Sequence, residues 1–430
     1  MKNYSPLALN RYAVIATGAL LLIANVSSAV DLTWNLPGDG NWNTTDLNWD
    51  NGGSSVAWSD GNAAIFDGFA ASADVTLQND IVATNLTRTS VNGDQILRLY
   101  DFSIDVSQVT IVGTGDIDLF STLTGDHDFT LTSDNNGGRL NIKTAASYTG
   151  DTFLQNNAYF LSDGVSNALP VTTTLNMTTN TTFRMLNVNQ ELAGLEGRGT
   201  IRSSNATLTI NTKTGAVNNF NATIQDNMNL VVTGDGSQRL FSTLNYTGTT
   251  TVSGGTLILG NNLNNSSAVI VNGGDLQNDA GESITLGSGN FSMSSGSITP
   301  GGVGAAGTLN VATNQNFTVT GGTLNFDVGT DMDQILGSGS GIYSIEGATI
   351  ALSLGAGFDY ENSYELIGGF ASGTFGDVTV TGYDTANYVA NLDNSGGALN
   401  LSFAAIPEPS EIALILGGLM GVLAFIKRRR

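Results

Sequence analysis

The amino-acid sequence predicts an all-β chain wound as a solenoid, and three observations carry that prediction. Between residues 30 and 405 no run reads as a helix of three turns. Short runs alternate apolar and polar side chains instead: Asp74–Leu77, Phe129–Thr132, Thr207–Asn211 and Asn316–Thr320. Alternation at period two, broken by Gly, Asn and Asp, marks half-buried strands joined by turns. The second observation is a recurrence: Tyr148-Thr149-Gly150-Asp151-Thr152 returns as Tyr246-Thr247-Gly248-Thr249-Thr250. The third is Gly-Gly-x-Leu, which follows that second copy at 254–257 and reappears at 273–276, 321–324 and 396–399. Its first step is 19 residues and its next is 48, the length of two rungs of about 24. Paired glycines turn a corner, the leucine after them points inward, and Thr and Asn stack in ladders along the outside. The competing reading is a sandwich with Gly-Gly hairpins. The regular step favours the solenoid.

Composition agrees with strands and narrows the chemistry. The chain has 430 residues, 54 of them Gly and only 6 Pro, and 12% are charged. Its 40% apolar content is too high for a disordered chain. No cysteine and a single histidine, His127, exclude disulfide scaffolds, zinc-thiolate sites, iron–sulfur clusters, thiol catalysis and multi-histidine metal centres. With 37 Asp+Glu against 15 Lys+Arg the net charge is −22, which argues against nucleic acid as a partner. No phosphate-binding glycine loop, dinucleotide fingerprint or HExxH motif occurs. No cofactor is therefore expected.

The two ends read as addresses. Residues 1–29 have the form of a secretory signal peptide: Lys2 and Arg11, then the apolar Ala13–Ala24, then Ser27-Ser28-Ala29, with cleavage expected between Ala29 and Val30. Its partners would be the secretion translocon and signal peptidase. At the other end Pro407-Glu408-Pro409 precedes the uncharged Ile412–Ile426 and the basic cluster Lys427, Arg428, Arg429 and Arg430. Fifteen helical residues span about 22 Å against a hydrocarbon core of about 30 Å, so 412–426 is expected to be a marginal membrane stop, a short single transmembrane helix whose terminal Lys and Arg close part of the gap by snorkelling. The terminal cations would stay on the cytoplasmic side.

That carboxy-terminal arrangement, residues 406–430, resembles the PEP-CTERM sorting signal. The resemblance implies recognition by an exosortase, a membrane-embedded transpeptidase of Gram-negative bacteria, and cleavage at or near the motif. It also implies a setting of exopolysaccharide production. A body cut before Glu408 and freed of its signal peptide would keep 9 Lys/Arg and 35 Asp/Glu, a net charge of −26. The alternative is an ordinary tail anchor. The central repeats are similar to the autotransporter-associated beta strand repeat. Tyr246–Gly260 carries the Y-x-G-x-T-x-V-x-G-G-T-L pattern, and the best copy spans 243–276. Ile298–Asp333 resembles the closing rungs that come after such repeats. The resemblance implies a right-handed parallel β-helix, expected here over 101–405 behind a Trp-rich cap with first strands over 30–100.

Trp34, Trp42, Trp49 and Trp58 fall within one 25-residue stretch. Indoles there would either plug the first rung, because they cover much area per residue, or offer apolar faces to a glycan. The plug is the preferred reading. Asp116, Asp118, Asp126 and Asp128 repeat G-D-x-D ten residues apart and are weak Ca²⁺ candidates; solvated turn aspartates are the plainer reading. His127 reads as an exposed turn residue. β-Helices also carry polysaccharide lyases and hydrolases, for which Asp116, Asp118, Arg139 and Lys143 would be the candidates. No spacing raises them above background, so an enzyme is not expected. Sequons such as Asn85-Leu86-Thr87 and Asn316-Phe317-Thr318 are what an Asn- and Thr-rich chain contains by chance. The expected function is an exported structural or adhesive protein. It would pass through the inner membrane to the outer surface or extracellular matrix, in association with exopolysaccharide. A lyase or hydrolase and a Trp-based glycan-binding module are the alternatives.

Overall fold

In a strand, successive side chains point to opposite faces, so alternation decides what is buried. In Ala73–Leu77 the residues Ala73, Val75 and Leu77 are buried, while Asp74 and Thr76 between them are half-exposed. The computed structural model describes residues 29–407, apart from 91–94, 135 and 264. All four alternating runs named above lie on or overlap strands. Among the described residues there is no helix, and the strands stack as a β-solenoid of about 12 turns around one apolar core.

The solenoid has three parallel faces. On the first, Asn62–Phe66, Ile81–Ser90, Gln108–Gly113, Phe129–Ser133, Thr152–Gln155 and Thr174–Met177 pair in turn. On the second, Ala73–Leu77, Ile96–Tyr100, Asp116–Leu119, Leu140–Ile142, Tyr159–Asp163 and Thr182–Leu186 do the same. The third is clearest where Gln190–Leu192 pairs with the later half of Thr200–Thr212, which pairs with the later half of Thr223–Gly234 and then Thr250–Val252. The second-face ladder passes residue 100 without a break.

The register explains the uneven glycine spacing. Leu257 pairs with Leu276, so the shorter step is a single rung. Leu276 then pairs with Ile298, and Ile298 with Leu324, so the longer step is two rungs of unequal length. Leu257, Leu276 and Leu324 are all fully buried. Gly255 has φ +58°, and a Cβ there would lie 2.6 Å from the carbonyl oxygen of Gly236 one rung below, so only glycine lets these corners stack. The fourth copy departs from this rule. Gly396 (φ +60°) and Gly397 (φ +81°) turn an antiparallel hairpin between Tyr388–Ser395 and Ala398–Ala405. The parallel ladders therefore end at Ser372–Gly376 and Thr379–Thr381, not at 405.

The Tyr-Thr-Gly recurrence marks a second kind of corner. Tyr148 and Tyr246 point inward and are buried. Their hydroxyls bond the hydroxyls of Thr152 and, at 2.7 Å, Thr250, each four residues on. Thr152 in turn meets Thr173, and Thr250 meets Ser266, both at 2.9 Å. The hydroxyl relays satisfy polar atoms inside an apolar core, where an unpaired one would cost about 1–3 kcal/mol.

Candidate functional site

Outward-pointing residues of a parallel solenoid stack one rung apart, about 4.8 Å, so residues far apart in the chain become neighbours. On the second face Asp74, Arg98, Asp118 and Asn141 stand in register. Arg98 Nη1 lies 2.9 Å from Asp74 Oδ1 and its Nε 4.0 Å from Asp118 Oδ2. Asn141 Nδ2 donates to Asp118 Oδ1 at 3.0 Å. Arg139 grips Asp116 through Nη2 at 2.8 Å and Nε at 3.2 Å, and its own backbone N–H donates to Oδ1 at 2.9 Å. That side-chain hydrogen bond outweighs burial and raises the Arg139 pKa above its ordinary value. Lys143 pairs with Asp163 at 2.9 Å, and Arg202 with Asp226 at 3.0 Å. Arg184 Nη1 donates to the Tyr159 hydroxyl at 3.4 Å, and the Arg139 guanidinium lies 6.0 Å from the Tyr159 ring. Tyr100 and Phe120 stack beside them at 4.7 Å.

The structure thus brings Asp116, Asp118, Arg139 and Lys143 onto adjacent rungs of one face. It adds Asp74, Arg98, Asp163, Arg184 and Arg202, which sequence reading missed. Arg98, Arg139, Lys143, Arg184 and Arg202 are five of the nine basic residues between 30 and 407. Five aspartates balance them, so the face is polar and locally near neutral within an acidic body. Held in place by their pairing, these groups present a fixed array of donors and acceptors. The signal was present as spacing: Asp74, Arg98, Asp118 and Asn141 recur once per rung.

The other candidates are not assembled. Asp126 accepts from Thr149 Oγ1 at 2.6 Å and Asp128 Oδ1 from the Asp151 backbone N–H at 2.8 Å, in the turn before Phe129–Ser133. Asp116 and Asp118 lie on the strand Asp116–Leu119 with the partners above. Among the described residues no group of three or more His, Asp or Glu could hold a metal ion. His127 is half-buried and partnered, not free in a turn. Its Nε2 lies 2.6 Å from Asp105 Oδ1, and its Nδ1 lies 2.9 Å from the Asp128 carbonyl oxygen. Both nitrogens face acceptors, so the imidazolium satisfies both. Burial opposes the charge, but the bonds to Asp105 and Asp128 and the neighbouring carboxylates outweigh it and raise the pKa.

The tryptophans are buried: Trp34 at 3% exposure, Trp42 and Trp49 at 0%, Trp58 at 2%. They pack against one another and Phe66 with ring centroids 4.9–5.6 Å apart. Their faces are spent on each other and leave none for a sugar, which corrects the glycan-contact reading. Trp34 Nε1 donates to the Gly38 carbonyl and Trp58 Nε1 to Asp60 Oδ1.

At the ends, Ala29 is exposed, and the Val30 N–H donates to Asn62 Oδ1 at 3.0 Å as the first face begins. The last strand closes at Ala405, the Ile406 N–H donates to the Asn387 carbonyl at 2.8 Å, and Pro407 is exposed. Residues 1–28 of the signal peptide, Glu408, Pro409, the span 412–426 and the Lys427–Arg430 cluster lie outside the described residues. No described helix is long and apolar enough to cross a membrane. Fold and face together define a β-solenoid with a plugged amino-terminal end and an ion-paired polar face. No protein-family model matches the chain, and neither does any curated protein or any solved structure.

Proposed function

We propose that the chain is an exported structural or adhesive protein of the bacterial surface or extracellular matrix, associated with exopolysaccharide through the polar face of its solenoid. One observation carries this reading: along one face Asp74, Arg98, Asp118 and Asn141 stand in register on successive rungs, and beyond Leu161 the column resumes with Arg184, Arg202 and Gln225. A periodic surface suits a periodic polymer. The solenoid is right-handed in this proposal, because parallel crossover connections take that hand almost without exception. Export begins with cleavage after Ala29. The PEP-CTERM-like signal then holds the chain at the inner membrane through 412–426, and an exosortase cuts near Pro407-Glu408-Pro409. The last strand ends at Ala405, which leaves Pro407 clear of the folded body. Replacing Pro407, Glu408 and Pro409 with alanine tests the sorting step. Retention of the uncut chain in the membrane is expected; unchanged processing and release would sink it. Binding of the purified chain to extracted exopolysaccharide, weakened in Arg98→Ala/Arg139→Ala, tests the polymer contact, and equal binding by the variant counts against it.

A second reading rests on the same face. The adjacency of Asp116, Asp118, Arg139 and Lys143 is the arrangement a polysaccharide lyase or hydrolase would draw on. Release of reducing ends or unsaturated uronides from an acidic glycan, abolished in Asp118→Asn, would replace the structural reading with that one.

A further inference from the structure

Among the described residues, the carboxy-terminal end of the solenoid is unpaired on two of its three faces. Ser372–Gly376 pairs only with Ile342–Glu346, and Thr379–Thr381 only with Thr349–Leu354; among the described residues no strand pairs with their other side. The antiparallel hairpin covers the remaining face, through Tyr364–Gly368. At the start of Ser372–Gly376 the hairpin's Asn394 Nδ2 donates to the Gly373 carbonyl. The inward column shows the consequence. Ile345 and Ile350 are fully buried, but of their in-register successors Phe375 is 37% exposed and Val380 only half-buried. Pairing alternates along an edge strand. The Thr379 N–H bonds back to the Ala348 carbonyl and the Gly376 carbonyl accepts from Gly347. The N–H and C=O of Phe375 and Val380 therefore face outward.

Two further features describe what would fit there. Tyr343 is 1% exposed, and its ring reaches beneath the last rung, because a Cβ on Gly373 would lie 1.9 Å from the ring. Its hydroxyl is buried without a hydrogen-bond partner. The surroundings are also acidic. Glu346 lies over Gly376, Asp393 precedes the Asn394 that bonds Gly373, and Asp377 and Asp384 come just after the two edge strands. Between residues 240 and 407 there are 13 Asp/Glu and no Lys or Arg. A second copy docking end to end would bring like charges together.

We infer that this end receives an extended, basic segment of another polypeptide, added as a strand along Ser372–Gly376 and Thr379–Thr381. The incoming backbone would take the outward groups of Phe375 and Val380 and cover their side chains, as strand addition to a sheet edge does. Its Lys or Arg side chains would meet Glu346, Asp377 and Asp393. The inference is independent of what the polar face binds.

The test is titration of the purified chain with a labelled ten-residue peptide of alternating Lys and Val, with the matching Glu-Val peptide as control. Saturable binding of the Lys-Val peptide is expected, falling with salt, and absent for Glu-Val. Val380→Pro removes an outward donor and is expected to weaken binding by about tenfold or more. The triple variant Glu346→Gln/Asp377→Asn/Asp393→Asn, which alters exposed side chains near this end, is expected to weaken binding and flatten its salt dependence. Equal binding by both peptides, or wild-type binding by the triple variant, overturns the inference. So does a self-associated chain that becomes monomeric in Val380→Pro, since the occupant would then be a second copy.

Discussion

At the amino-terminal end four indoles and Phe66 fill the first turns of the core, and Trp49–Asp50 pairs antiparallel with both Asp31–Trp34 and Ser55–Val56. At the carboxy-terminal end the inward column stops on Phe375 and Val380, with no paired strand beyond them among the described residues. Every interior rung of a solenoid is sealed by its neighbours, so only the terminal rungs must find another partner. One end meets that need with its own aromatic side chains; the other leaves it to an incoming strand.

The first way to break this comparison is to unplug the sealed end. Trp42→Ala or Trp49→Ala should lose about 3–5 kcal/mol in a denaturant titration, the range for deleting a fully buried aromatic. Phe375→Ala should lose about 1 kcal/mol or less, because its side chain has less burial to lose. Equal losses at the two ends would mean that the carboxy-terminal end is sealed in solution.

The second prediction concerns the carboxy-terminal half and pH. Asp333 is fully buried, and its oxygens accept the backbone N–H groups of Gly307 (2.8 Å) and Asp327 (2.9 Å). Burial pushes its pKa up to about 7, with a smaller push from the Asp327 charge. The folded state therefore holds a proton that the unfolded state has already released. Stability contributed by that proton is full below about pH 4 and is lost as the pH rises towards 7. The slope should be on the order of 1.4 kcal/mol per pH unit and should vanish in Asp333→Asn. A flat profile in the wild type, once other titrations are matched by the variant, would contradict the burial assigned to this carboxyl.

A smaller effect of the same sign is expected in the amino-terminal half. The His127 pKa is raised, so the stability its pairing contributes is full below about pH 6.5 and fades as the pH climbs past the raised value. Asp105→Asn should remove this dependence and shift the His127 proton resonances to titrate at lower pH. The pair is partly exposed, so the change should stay within about 1 kcal/mol. Smallest of all, a double-mutant cycle on Arg139 and Asp116 should return a coupling of about 0.5–1 kcal/mol, since the pair is bidentate but half in solvent.

Much of the fold was legible because solenoid rungs repeat what they require. Gly254-Gly255 and Gly321-Gly322 turn corners that a Cβ would obstruct, and the leucine two positions after each pair must face inward. The same letters at 396–399 were misleading, because Gly-Gly serves an antiparallel hairpin as well as a stacked corner, and only the direction of the next strand separates the two. The tryptophans were ambiguous for a related reason: an indole covers a core or a sugar with the same apolar face. The polar face was hidden by distance along the chain, because Arg139 meets Asp116, and Lys143 meets Asp163, only across a whole rung.

By itself, the order of residues determined the alternation, the inward leucines, the glycine corners and a composition that excludes thiol and multi-histidine chemistry. Those properties are local: they depend on side-chain volume, backbone freedom and a period of two, all readable within a few residues. Only the stacking of rungs decided which carboxylates pair, which faces the indoles turn and which end stays open. Those outcomes depend on the register between strands a full rung apart, and rung length varies along the chain. A slip of one residue between a strand and the strand one rung below would turn its outward side chains inward.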